Sequence, residues 1–168
     1  MPDERGRFDA LVGRYRTRGV LLDANLLVLY VVGSHDRRLI PTVKATRQFC
    51  ERDFEFVANL VAFFDRLVTT PHVLTEVNGL SNTGLPRRHR WDFLRTFQER
   101  IGEAVEVYAE AEGLASLPVF RRLGLTDAAI VDLARDGPLT VSTDLDLCVA
   151  LESRGLDVVN YNHVRFAI

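Results

Sequence analysis

A chain of 168 residues with 47% hydrophobic and 26% charged content has the size and composition of one soluble domain with a full hydrophobic core. Its formal net charge of −2 excludes nucleic-acid binding by bulk positive charge, so any contact with phosphates must be local. Cys50 and Cys148 lack metal-ligand spacing, no stretch approaches the roughly 18 apolar residues of a membrane span, and the charged N-terminus lacks a signal-peptide run, so a cytoplasmic protein with no membrane partner is expected.

Residues 3–18 are polar and arginine-rich and read as a leading helix or arm (1–18) ahead of a single domain over 19–168. Residues 19–22 are a brief apolar run, the pattern of a central strand buried on both faces. Residues 25–32 continue it, and periodicity does not separate strand from helix there. The Asp23-Ala24-Asn25 step reads as strand, turn, helix. A loop covers 33–42. A helical pattern runs over about 43–66, with Phe49, Phe56, Leu60 and Phe63-Phe64 near one face. A short strand at 67–70 precedes a helix opened by Pro71 and ending near Leu80.

After the breaker-rich loop 81–86, residues 87–101 read as a helix with Trp91, Leu94 and Phe97 on one face. Residues 104–108 alternate like a strand, and 111–123 read as a helix bent or restarted at Pro118. Thr126 is a candidate N-cap for a helix to about Arg135. Residues 136–138 form a turn, 139–142 a strand, 145–154 a helix stopped by Gly155, and 156–160 a last strand. Strands alternate with helices throughout, which predicts an α/β fold: a three-layer α/β/α sandwich with a mostly parallel sheet.

Four carboxylates occupy corresponding places in this pattern. Asp23 and Asp144 each end a strand, Asp127 opens a helix, and Glu76 lies in the first turns of the helix after a strand. In open parallel sheets these places share the C-terminal edge, where ligands bind. Each acid alone is explained by helix capping. Four converging acids repel one another and call for a cation, and oxygen ligands suit hard Mg²⁺ or Mn²⁺. Such a cluster supports phosphodiester hydrolysis by a metal-activated water.

The segments 21–25 (Leu-Leu-Asp-Ala-Asn), 71–77 (Pro-His-Val-Leu-Thr-Glu-Val), 125–130 (Leu-Thr-Asp-Ala-Ala-Ile) and 141–147 (Val-Ser-Thr-Asp-Leu-Asp-Leu) resemble, in order, the four acidic motifs of PIN-domain nucleases. The resemblance spans about residues 19–162. It implies a PIN-like sandwich and Mg²⁺- or Mn²⁺-dependent cleavage of RNA, usually single-stranded. It implies Asp23, Glu76, Asp127 and Asp144 as the metal-binding and catalytic acids, with Asp146 as a further acid. Asn25 and Thr143 match polar positions that orient the cluster or the water. Many small members are toxins of toxin–antitoxin pairs (VapC-type), held by a small antitoxin protein and often homodimeric. The stretch between Asp23 and Glu76 is longer than in compact toxins, and residues 1–18 precede the first motif. A processing or defence nuclease without an antitoxin, or a degenerate binding module, are the alternatives.

The most basic stretch, 86–91, offers Arg87, Arg88 and Arg90 as candidate phosphate contacts and a cationic helix start that opposes the helix dipole. Trp91 reads as a core residue there, with stacking on a base by Trp91 or His89 as the alternative. No GxGxxG or GxxxxGK occurs, and Ser142 is not in a GxSxG elbow, so nucleotide-binding and serine-hydrolase readings have no support.

Overall fold

The computed structural model describes residues 4–135 and 137–165. Within the predicted N-terminal arm, residues 1–3 lie outside the described residues, as do Asp136 of the predicted turn and 166–168 of the predicted domain. The elements run α1 (Glu4–Tyr15), β1 (Val20–Leu22), α2 (Ala24–His35), α3 (Glu51–Phe63), β2 (Leu67–Thr69), α4 (Pro71–Ser81), α5 (Arg90–Glu103), β3 (Val105–Glu106), α6 (Ala111–Ala115), α7 (Phe120–Leu123), α8 (Leu125–Leu133), β4 (Leu139–Ser142), α9 (Leu145–Glu152), β5 (Val158–Asn160) and α10 (Tyr161–Val164). Single 3-10 turns occupy Arg37–Leu39 and Arg87–His89.

The five strands form one parallel sheet in the order β3-β2-β1-β4-β5. The chain leaves β1 toward β2 and β3, then returns to pair β4 with β1 on the other side, Val20 opposite Leu139 and Leu22 opposite Val141. The β1–β4 seam is therefore the switch point of the sheet. Helices cover it in two groups: α2 packs against α3, α4 and α5, whereas α8 packs against α6, α7 and α9. This is the expected α/β/α sandwich. None of the described helices is long and apolar enough to cross a membrane.

Helix α2 is the centre of the core. Leu26 through Gly33 are all buried, as are β1, β4 and the first two residues of β5. A helix enclosed all round carries no polar face, which is why its sequence shows no period.

Four local expectations are corrected. The helix expected over 43–66 begins only at Glu51. Residues 40–50 are turns wound around buried Thr46, whose hydroxyl donates to the Ile40 carbonyl at 2.7 Å. The helix expected over 111–123 is two short pieces, α6 and α7. Trp91 is not in the core but 81% exposed; α5 buries Phe93 and Phe97, an i, i+4 pair, so its apolar face is rotated from the expected one. The N-cap of α8 is Gly124, not Thr126, because Gly124 turns the chain at φ 87°, a conformation open to glycine, and the helix has already started when Thr126 is reached. Helix α10 was not anticipated.

Candidate metal centre at the switch point

Asp23 follows β1 and is the N-cap of α2: its Oδ1 accepts from the Leu26 amide at 2.8 Å. Its other oxygen faces the end of β4. Oδ2 accepts from the Ser142 hydroxyl at 2.5 Å, the Thr143 amide at 2.7 Å and the Thr143 hydroxyl at 3.3 Å. The residue is only 4% exposed, and burial pushes its pKa up while these hydrogen bonds pull it back.

Asp144 is the N-cap of α9, accepting from the amides of Asp146 and Leu147 at 2.7 and 3.1 Å. It is exposed at the rim, as is Glu76 on α4. Asp127, third residue of α8, is half-buried between them. Burial first, then the charges of Asp144, Glu76 and Asp23, push its pKa up to about 7, and every one of these influences acts in the same direction. Three carboxylates from three other elements thus act on Asp127 near the C-terminal edge of the sheet. Among the described residues, no three acids, histidines or cysteines are grouped closely enough to cage a metal ion as they stand. The acids interact at Coulombic range, with Asp23 and Asp144 each turned toward backbone amides.

Asp146 stands apart: it pairs with Arg122 at 2.9 Å on the surface and is not among the charges acting on Asp127. Thr143 holds Asp23 directly, and Asn25 sits in the first turn of α2, lining a cleft. Of the basic residues, Arg90 is drawn to α4, reaching Asn78 Oδ1 at 3.3 Å and Ser81 Oγ at 3.4 Å, while Arg87 and Arg88 are exposed. A second cleft, of about 400 Å³, runs between α4 and the start of α8 and is lined by His72, Thr75, Glu76 and Thr126. Buried His72 Nδ1 has no hydrogen-bond partner among the described residues.

Ser142 is the site residue that sequence reasoning missed. Its hydroxyl bridges Asp23 and, as an acceptor, the Asp144 amide at 2.9 Å. The available signal was its place as the last residue of a strand beside the strand that carries Asp23.

The donors are of the kind a hard divalent cation takes: oxygens throughout, with Asp127 pushed upward by burial and then by three other carboxylates. Comparison with protein families, with curated proteins and with solved structures finds no match.

Proposed function

We propose that this chain is a divalent-metal-dependent endoribonuclease that hydrolyses phosphodiester bonds of single-stranded RNA. The observation that carries the reading is Asp127 at the switch point of a parallel sheet, its carboxyl raised to about 7 first by burial and then by the charges of Asp144, Glu76 and Asp23. Such crowding opposes folding on its own account and is relieved when a cation enters. Asp23, Asp127 and Asp144 would hold Mg²⁺ or Mn²⁺, with Glu76 placing the metal or a water. Bound, the metal acidifies a water and offsets charge on the leaving oxygen.

The chain's own residues set the geometry. Ser142 and Thr143 fix the Asp23 carboxylate from the neighbouring strand, so the deepest acid is oriented before any ligand arrives. Glu76 and Asp144, at the rim, meet solvent and substrate. The four acidic segments resembling PIN-domain motifs supply the choice of RNA. Toxin activity, an antitoxin partner and a homodimer rest on that resemblance alone.

A reading without catalysis draws on the absence of a ready-made ligand cage among the described residues. One experiment separates the two. Labelled single-stranded RNA and DNA are incubated with Mn²⁺ or Mg²⁺ and wild type, Asp23→Asn or Asp127→Asn, while calorimetry follows Mn²⁺ binding. Metal-dependent RNA cutting that both variants lose is the expected result. A folded wild type that neither cuts nor binds Mn²⁺ overturns it and leaves a non-catalytic module.

A further inference from the structure

A cleft of about 570 Å³ lies against α2 and α4, the helices that follow Asp23 and carry Glu76, without taking part in the chemistry above. Asn25, Lys44, Arg47, Gly79, Leu80 and Thr83 are among its walls. We propose that it seats the sugar–phosphate backbone of single-stranded nucleic acid next to the scissile phosphate, with Lys44 and Arg47 as its cations. The proposal rests on the nuclease reading and adds where the substrate lies.

Position comes first. Asn25 is two residues beyond Asp23, and Gly79 and Leu80 lie three and four residues beyond Glu76 on α4. Residues three and four apart share one helix face, so Gly79 and Leu80 lie on the side of α4 that carries Glu76. The cleft therefore opens beside the first turn of α2 and the Glu76 side of α4, and a chain of phosphates leaving the acids can enter it.

Charge comes second. A carboxylate cluster repels a polyanion, so the flanking phosphates need local cations in a protein of net charge −2. Lys44 and Arg47 are exposed, and neither side chain is in an ion pair among the described residues. Arg37, Arg38 and Arg122, by contrast, are each held by a carboxylate. The two cations that line this cleft are thus available to phosphates.

Shape comes third. Gly79 is exposed inside a helix, where glycine is disfavoured relative to alanine. A Cβ built there would meet nothing within 4 Å, so packing does not require the glycine. Its bare backbone leaves room on the cleft floor. The opposite wall is fixed. The Lys44 amide donates to the Thr83 carbonyl at 2.9 Å, and a Cβ on Gly84 would collide with the Thr42 carbonyl, so the 81–84 turn sits directly on the segment that carries Lys44.

The test is fluorescence anisotropy of a labelled single-stranded RNA oligonucleotide in EDTA, with the full chain. Lys44→Ala/Arg47→Ala should bind at least about tenfold more weakly, with a salt slope lower by roughly 1.4, as expected for two lost phosphate contacts on a single strand. Gly79→Leu leaves the charge unchanged and favours the helix, so it should weaken binding while the salt slope stays the same. Circular dichroism melts confirm that both variants fold. Wild-type affinity in both folded variants overturns the proposal, and so does absence of binding by the wild type. Asp127→Asn separates this from the nuclease reading. It should bind at least as tightly as wild type and fail to cut. Binding that depends on Lys44 and Arg47, without metal-dependent cutting by the wild type, supports the cleft and removes only the hydrolase. Cutting by the double variant with unchanged KM removes only the cleft.

Discussion

The Ser142 hydroxyl, at the end of β4, donates to the Asp23 carboxylate, just past the end of β1, at 2.5 Å. This bond closes the seam where the strand order reverses, and both its partners are buried. Removing a partner from a buried carboxylate costs about 1–3 kcal/mol. Ser142→Ala should therefore lower stability by about that amount in denaturant titrations. It should also slow metal-dependent cleavage by roughly 10- to 100-fold, because a supporting hydrogen bond to a metal-binding acid is lost. Wild-type values in both measurements would mean that Thr143 and Leu26 suffice to hold Asp23.

Asp144 and Asp146 are two residues apart and are predicted to behave differently. Asp144 caps α9 and acts on Asp127; Asp146 is exposed and paired with Arg122. Asp144→Ala should cost about 1 kcal/mol through the lost cap and abolish cleavage. Asp146→Ala should change stability by less than about 0.5 kcal/mol and leave most of the activity. Parallel melts and cleavage rates decide the matter. An inactive, normally stable Asp146→Ala would bring that acid into the site.

The sandwich and the common edge of the four acids were legible in the sequence because both follow from order along the chain. Strand–helix alternation gives the parallel sheet, and an acid just after a strand, as Asp23 and Asp144 are, has one place to go; Glu76 and Asp127 follow from their places near the starts of α4 and α8. What was not legible depends on contacts distant in sequence. The Ser142–Asp23 bond joins residues 119 apart. The late start of α3 depends on Thr46 being drawn back to Ile40, and local apolar spacing carries no trace of that turn. Trp91 was misread because the stripe Trp91, Leu94, Phe97 and the stripe Phe93, Phe97 differ by less than one helical turn. Packing against α2 chooses between them. Lys44 and Arg47 drew no notice because they do not form a run.

Asp53 gives a prediction away from the acids. It is buried on α3, and its oxygens accept from Tyr161 Oη at 2.6 Å, the Cys50 amide at 2.7 Å and Arg165 Nη2 at 2.7 Å. Burial pushes its pKa up, but these hydrogen bonds and the Arg165 charge outweigh it and hold the carboxyl below its ordinary value. A lowered pKa means stability that is present above about pH 4 and is lost as pH falls through the folded value. Tyr161→Phe should remove about 1–3 kcal/mol at pH 7 and less at pH 3, measured by urea unfolding at both values. An equal loss at the two pH values would assign the effect to packing of the ring.

The opposite sign applies to Asp127. Its carboxyl rises from an unfolded value near 3.8 to about 7, so the folded state holds this proton more tightly than the unfolded state does. The resulting penalty is absent below about pH 4, grows between about 4 and 7, and is fully present above about 7. With solvent screening allowed for at a half-buried group, its size is of order 2 kcal/mol. In chelator, wild type should therefore be more stable at pH 5 than at pH 8, and Asp127→Asn should be more stable than wild type at pH 8 while losing cleavage. Mn²⁺ should raise wild-type stability at pH 8 and leave Asp127→Asn nearly unmoved, since a ligand that binds only the folded state stabilises it in proportion to its affinity. Thermal melts of the two proteins at both pH values, with and without Mn²⁺, measure all of this. A wild type whose stability is flat from pH 5 to 8 would show that the four carboxylates do not oppose folding, and the argument for a cation would lose its physical basis.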